Sequence, residues 1–128
     1  MTVSKDVKHS LAVLIRNGDK ILSTRRAIDD DELPGIWGLP AGTFREAETV
    51  EALIQRIGRQ KLGVELRPLR WLALDFQDRP AYRLEMELWE AEMDGVPNHP
   101  DWKWAEYSVL EPGRAKGSLC CDLALRVC

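Results

Sequence analysis

The stretch from residue 35 to residue 64 constrains the fold of this chain more than any other part of its sequence. It begins with the glycine- and proline-rich run GIWGLPAG, which is typical of tight turns. After a short loop, apolar residues recur at helical spacing, at Val50, Leu53, Ile54 and Ile57. Thr49 is suited to cap this helix and Gly63 to end it. We therefore predict a turn, a loop and a helix over residues 50–62.

The composition predicts one globular domain over residues 1–128. The chain has 128 residues, of which 45% are hydrophobic and 30% charged, which is ordinary for a globular protein and enough to bury a core. The formal net charge of -3 argues against bulk binding to nucleic acid, which needs an excess of basic residues. A small phosphorylated ligand is still compatible, because it needs only a local cluster of positive charge.

Residues near both ends of the chain indicate the cellular compartment in which we expect it. Charged residues are spread through the first ten positions, and no apolar run is long enough to cross a membrane, so we expect a cytoplasmic protein without a membrane contact. The three cysteines, Cys120, Cys121 and Cys128, do not match a zinc spacing. We expect them to be reduced, and the sequence assigns them no role.

The order of predicted elements indicates the fold class. Asn17-Gly18 is a strong hairpin signal between two strands. One further helix is predicted over residues 118–127, with Ser118 as its cap. Strands are predicted at residues 7–15, 20–24, 37–39, 42–44, 66–75, 82–89 and 102–105. This order predicts an α+β domain, arranged as a three-layer α/β/α sandwich around a mixed β-sheet.

The central stretch resembles the Nudix box, the signature of the Nudix hydrolase superfamily and its MutT-like members. The family pattern is G-x5-E-x7-R-E-U-x-E-E-x-G-U, in which U is a bulky aliphatic residue. Aligned without a gap, its scaffold positions are matched by Gly42, Glu48, Arg56 and Gly63. The resemblance implies the Nudix fold, and by family a hydrolase of nucleoside diphosphates linked to another moiety. It also implies that the chain can form a homodimer.

The resemblance fails at the positions that would hold the metal. The family places three glutamates on one face of the helix, where their oxygens bind Mg2+ or Mn2+, which neutralises phosphate charge and activates water. Here these positions carry Ile57, Gln60 and Lys61. An isoleucine has no donor atom, a glutamine is a weak neutral ligand, and an ammonium repels a cation. We therefore expect the family's reaction to be weak or lost, with Mg2+ or Mn2+ as cofactor only where activity persists.

Three interpretations of this region remain open. Ile57 extends the apolar stripe, so the helix can serve as a packing element. Alternatively, cationic side chains near the former metal position, Lys61 and Arg45 among them, can meet a phosphate directly. In the third interpretation, Glu46, Glu48 and Glu51 hold a metal loosely, although Glu48 is expected to pair with Arg56.

Other residues are candidates for binding a small nucleotide or diphosphate compound. Trp37 and Tyr82 could stack on a flat ligand, with core packing as the alternative for each. Arg26 ends a strand ahead of the signature loop, where family members often direct a basic residue at substrate phosphates. The sequence therefore leaves two functions open, a hydrolase of the Nudix type and a non-catalytic nucleotide- or phosphate-binding module on the same fold.

Overall fold

The computed structural model describes residues 6–30 and 32–127, so the prediction for Cys128 and the first part of the N-terminal prediction lie outside the described residues. The strands are β1 Val7–Leu14, β2 Arg16–Asn17, β3 Lys20–Arg25, β4 Trp37–Gly38, β5 Ala41–Thr43, β6 Glu65–Asp78, β7 Arg83–Asp94 and β8 Trp102–Ala105. The α-helices are α1 Val50–Ile57, α2 Glu111–Ala115 and α3 Leu119–Arg126. A π-helical turn, Gly58–Leu62, continues α1, and a 3-10 turn, Tyr107–Leu110, precedes α2.

The strands form two four-stranded sheets. The first has the order β5-β1-β7-β6, in which β1 runs parallel to β7 and the other neighbours are antiparallel. The second joins β2, β3 and β4, with β8 also paired to β3. The first sheet is mixed, as predicted, but the strands form two sheets where the sequence suggested one.

Strand β1 lies between two hydrophobic clusters, which explains its continuous apolar run. Ala12 and Leu14 face a cluster that contains α3, while Leu11 and Val13 face a second cluster that contains α1. Helices therefore cover both faces of the mixed sheet. The predicted α+β class, with its α/β/α layering, is confirmed.

Helix α1 and the π-helical turn that continues it together begin and end where the sequence predicts. The Thr49 hydroxyl accepts a hydrogen bond from the Ala52 N–H at 3.1 Å, and Gly63 ends the helical segment with a left-handed φ of 68°. The last turn differs from the prediction, because the backbone widens into a π-helical turn from Gly58 onward. Such turns are rare and recur at functional sites.

Two regions correct the predicted element list. Pro112 and Gly113 argue against a helix in sequence, yet α2 forms there, because proline fits the first turn of a helix. Strand β6 contains Pro68 and extends to Asp78, beyond the predicted end at residue 75. Pro68 lies beside a shift in the β6–β7 register, at the edge of the sheet, where proline is tolerated.

Within the described part of the chain, no helix is long and apolar enough to cross a membrane.

Candidate functional site

A cleft of about 460 Å³ opens beside the signature segment. Its basic lining side chains are Lys8, Arg25, Arg26, Lys61 and Arg79. The carboxylates that line it are Asp30 and Glu32. Five cations against two carboxylates make this cleft positive, although the whole chain has a net charge of -3. The region therefore suits an anionic ligand.

The signature loop is fixed by the Glu48–Arg56 ion pair. Arg56 donates from Nε and Nη2 to the two Glu48 oxygens at 2.9 and 2.8 Å, and from Nη2 to the Thr43 carbonyl at 2.7 Å. The Arg45 N–H also donates to Glu48 at 3.0 Å. Hydrogen bonds from Arg56 hold the pKa of Glu48 at about 2. This carboxylate therefore serves the frame of the loop.

Ile57 belongs to the hydrophobic core. It is 1% exposed and packs in the cluster that contains α1. A Cβ atom built on Gly42 would meet Ile57 Cγ1 and Leu53 Cδ1 at 3.1 Å each. Gly42 is therefore needed for the close approach of β5 to α1, and the side chain at position 57 fills the space beneath it.

Lys61 reaches from the π-helical turn into the cleft. Its Nζ donates a hydrogen bond to the carbonyl of Ala41, on β5. Desolvation lowers the pKa of Lys61, and the nearby charges of Arg26, Arg56 and Lys8 lower it further. The residue is exposed along its length, but its ammonium group lies among other cations.

Gln60 is exposed on the same turn. The three box positions thus have three different surroundings, since Ile57 is in the core, Gln60 faces solvent and Lys61 enters the cleft. Among the residues that the structure describes, no three His, Cys, Asp or Glu side chains come close enough together to hold a metal ion.

Tyr82 lies on the opposite side of the cleft in a polar network. Its hydroxyl donates to Glu32 at 2.7 Å, and Arg79 forms an ion pair with the same carboxylate. The ammonium of Lys8 lies 5.2 Å from the centre of the Tyr82 ring. The Arg79 guanidinium lies 5.9 Å from the same centre, so two cationic groups are close to the ring, and its hydroxyl is bound by Glu32.

Arg26 also lines the cleft. Its Nη2 donates to Asp30 at 3.0 Å, and the pKa of Asp30 is lowered by hydrogen bonds from the Leu33 N–H and from Arg26. The Arg26 side chain is still 45% exposed, so its remaining donors can reach a ligand.

The structure brings together three of the predicted binding residues, Arg26, Lys61 and Tyr82. Trp37 does not line this cleft, and Lys103 lies over its ring at 4.2 Å. Arg45 and Glu46 line an adjoining cavity of about 650 Å³, together with Glu48, Glu85 and Glu87. Glu51 is exposed on α1 and accepts a hydrogen bond from Gln55 at 3.5 Å.

Sequence reasoning missed Lys8, Arg79 and Glu32. Lys8 could have been found from the alternation of β1, which places it on the same face as Ser10 and Ala12. The other two lie in loops far apart in sequence, and no local pattern predicts that Arg79 and Glu32 meet.

Comparison with known proteins agrees with this architecture. The model of the NUDIX domain matches residues 7–118. No curated protein matched the sequence.

Solved structures give the same fold at low identity. The ORF135 protein of E. coli is 20% identical, with a TM-score of 0.76 over 95% of this chain and 92% of that chain. A MutT protein from Methanosarcina mazei Go1 is 17% identical, with a TM-score of 0.77 over 98% and 96%. A MutT NUDIX hydrolase from Burkholderia pseudomallei is 21% identical, with a TM-score of 0.72 over 81% and 86%. With the family model spanning most of its length, the chain belongs to the Nudix family.

Proposed function

We propose that this protein binds a phosphorylated small molecule of the nucleoside diphosphate class in the basic cleft without a divalent metal, and that the family's hydrolysis is weak or lost. The observation that carries the proposal is Lys61. Its ammonium group extends from a position where the family has a metal-binding glutamate, and it meets the Ala41 carbonyl inside the cleft.

The donor set does not fit a divalent cation. Ile57 has no atom that can bind a metal, and its side chain is buried in the core. Lys61 adds a positive charge where the cation would lie, and like charges a few ångströms apart repel. Glu48 is held by Arg56 and by the Arg45 N–H, which leaves it poorly placed to serve as a ligand.

The cations of the cleft fit a diphosphate better than a metal. Neither Lys8 nor Lys61 forms a salt bridge with a carboxylate among the described residues, so both can donate charge-assisted hydrogen bonds. Arg26 adds exposed donors beside them. The Tyr82 ring borders the same space, and the Lys8 ammonium lies over it at 5.2 Å from the ring centre.

Melting curves with ADP test the binding. ADP should raise the melting temperature of the wild-type protein equally in Mg2+ and in a chelator, because the charges that bind phosphate belong to side chains. Lys61→Ala should reduce that shift under both conditions. Lys20→Ala removes an exposed lysine on β3 away from the cleft and should leave it unchanged. A shift that needs Mg2+ would contradict the proposal.

A hydrolysis screen tests the loss of activity. Nucleoside triphosphates, dinucleoside polyphosphates and nucleotide sugars should be turned over slowly or not at all with Mg2+ or Mn2+. A Gln60→Glu/Lys61→Glu variant and the same variant with Ile57→Glu should be assayed beside the wild type, after their folding has been checked. Family-like turnover by the wild type would contradict the proposal, and activity confined to a variant would support it.

A further inference from the structure

Strand β6 forms an edge of the mixed sheet and is its longest strand. It has 14 residues and pairs with β7 along one side. The sheet order ends at β6, and no described strand pairs with its outer side. Its outward-facing backbone N–H and C=O groups are therefore available to another strand, apart from the Phe76 N–H, which donates to the Asp75 carboxylate at 2.7 Å.

This edge also exposes apolar side chains. The large hydrophobic residues exposed on β6 are Leu69 at 55%, Trp71 at 51%, Leu74 at 42% and Phe76 at 41%. They are four of the seven exposed large hydrophobic residues among those that the structure describes. Apolar side chains concentrated on one strand indicate an interaction surface.

Apart from Glu65 at its start, which pairs with Arg59, the charge along β6 changes sign at its centre. Arg67 and Arg70 lie in its first half, and Asp75 and Asp78 lie in its second half. A second copy of β6 that runs antiparallel to the first places each basic half beside an acidic half. The strand is thus complementary in charge to itself, which is the property that a two-fold contact requires.

The register of β6 is consistent with such a contact. Residues paired across two antiparallel strands point to the same face of a sheet. A two-fold axis between Leu72 and Ala73 pairs Arg70 with Asp75, and Trp71 with Leu74. In a regular strand these partners would lie on opposite faces.

An irregularity in β6 removes this obstacle. The register with β7 shifts between Trp71 and Ala73, so β6 holds one extra residue there. As a result, Arg70 and Asp75 lie beside Glu90 and Met86 of β7, which share one face. By the same argument, Trp71 and Leu74 lie beside Trp89 and Glu87, on the other face.

We infer that the outer edge of β6 is the contact surface between two copies of this chain, paired antiparallel around Leu72 and Ala73. Arg70 already binds Glu90 at 2.8 Å, and Asp75 binds Arg126 at 2.8 Å. Pairing adds Arg70 of one copy to Asp75 of the other, which gives a row of alternating charges. The two register shifts confine the strand to one pairing and so oppose open-ended association.

Sedimentation of the full chain tests this contact. The wild-type protein should be a dimer at a concentration of about 0.3 mM. Arg70→Asp and Asp75→Arg should each give a folded monomer, because each variant places like charges opposite one another twice. Arg114→Asp changes an exposed arginine that also pairs with a carboxylate, Asp122 at 3.2 Å, and should remain a dimer.

Mixing the two monomeric variants is the sharper test. In the mixed pair, an aspartate faces an arginine at both contacts, so a dimer should reform. The Arg70→Asp/Asp75→Arg double variant should also dimerise with itself. Damage within one copy could not be repaired by mixing. A monomeric wild type, a dimeric Arg70→Asp variant or a mixture that stays monomeric would each overturn the inference.

Discussion

The two parts of the signature segment differ in how well they match the pattern of the Nudix box. The loop and the start of α1 keep the Glu48–Arg56 pair, with contacts at 2.8 and 2.9 Å. The end of the helical segment has Ile57 in the core and Lys61 in the cleft. The contacts that hold the loop of this Nudix box therefore form without the family's metal ligands. The frame can persist while the charge beside it changes sign.

A charged substitution at position 57 should lower the free energy of unfolding the most. Ile57→Glu buries a carboxylate without a partner and should lower the free energy of unfolding by about 3 to 5 kcal/mol. Ile57→Leu nearly conserves volume and should cost less than about 1.5 kcal/mol. Urea unfolding at neutral pH compares the two. A loss below about 1 kcal/mol for Ile57→Glu would show that this position is not committed to packing.

The Glu48–Arg56 pair should give a smaller loss that depends on pH. Glu48→Gln should cost about 2 kcal/mol, because it removes charge-assisted hydrogen bonds. The pKa of Glu48 is lowered from 4.5 to about 2 on folding, so its contribution is fully present above about pH 4.5. It disappears as pH falls toward 2. Urea unfolding of both proteins across this range should show their difference shrinking, and a constant difference would argue against the pair.

Gly42 tests how closely the loop approaches the helix. Gly42→Ala adds a methyl group 3.1 Å from Ile57 Cγ1 and should cost about 1 kcal/mol. In an Ile57→Ala background the cost should be smaller, because the crowded Cγ1 and Cδ1 atoms of Ile57 are removed. A double-mutant cycle by urea unfolding measures this coupling. Equal costs in both backgrounds would show that the contact with Ile57 does not determine the cost of Gly42→Ala.

Lys61 should matter little for stability and much for binding. Lys61→Met should change the free energy of unfolding by less than about 0.5 kcal/mol, because the lost hydrogen bond to the Ala41 carbonyl is offset by the removal of a desolvated cation from among like charges. Because folding lowers the pKa of Lys61, the stability of the wild type should rise relative to Lys61→Met as pH passes from that lowered value to 10.5. Binding of ADP should weaken over the same rise in pH, because Lys61 loses its positive charge. Urea unfolding and titration calorimetry measure the two effects.

Much of the fold follows from local sequence patterns. The alternation of β7, the Asn17-Gly18 hairpin and the Thr49 cap each predict a structure that depends on neighbouring residues, and all three are present. The sequence gives less information on β6, whose full length depends on its pairing with β7. Helix α2 was missed because its proline and glycine act as breakers elsewhere.

The residues of the cleft were predicted in part, since Arg26, Lys61 and Tyr82 were candidates from the sequence and line it together. The box positions, including Ile57 and Lys61, could be aligned by spacing alone. Lys8, Glu32 and Arg79 come from distant parts of the chain, and only the folded sheet brings them to one cleft. The approach of Lys61 to the Ala41 carbonyl likewise depends on how β5 packs against the helical segment.

Titration calorimetry of ADP with the wild-type protein shows whether binding in the cleft depends on a divalent metal. The affinity measured in a chelator should equal that measured in Mg2+, and Lys61→Glu should weaken it under both conditions. Binding that occurs in Mg2+ and disappears in the chelator would contradict the account.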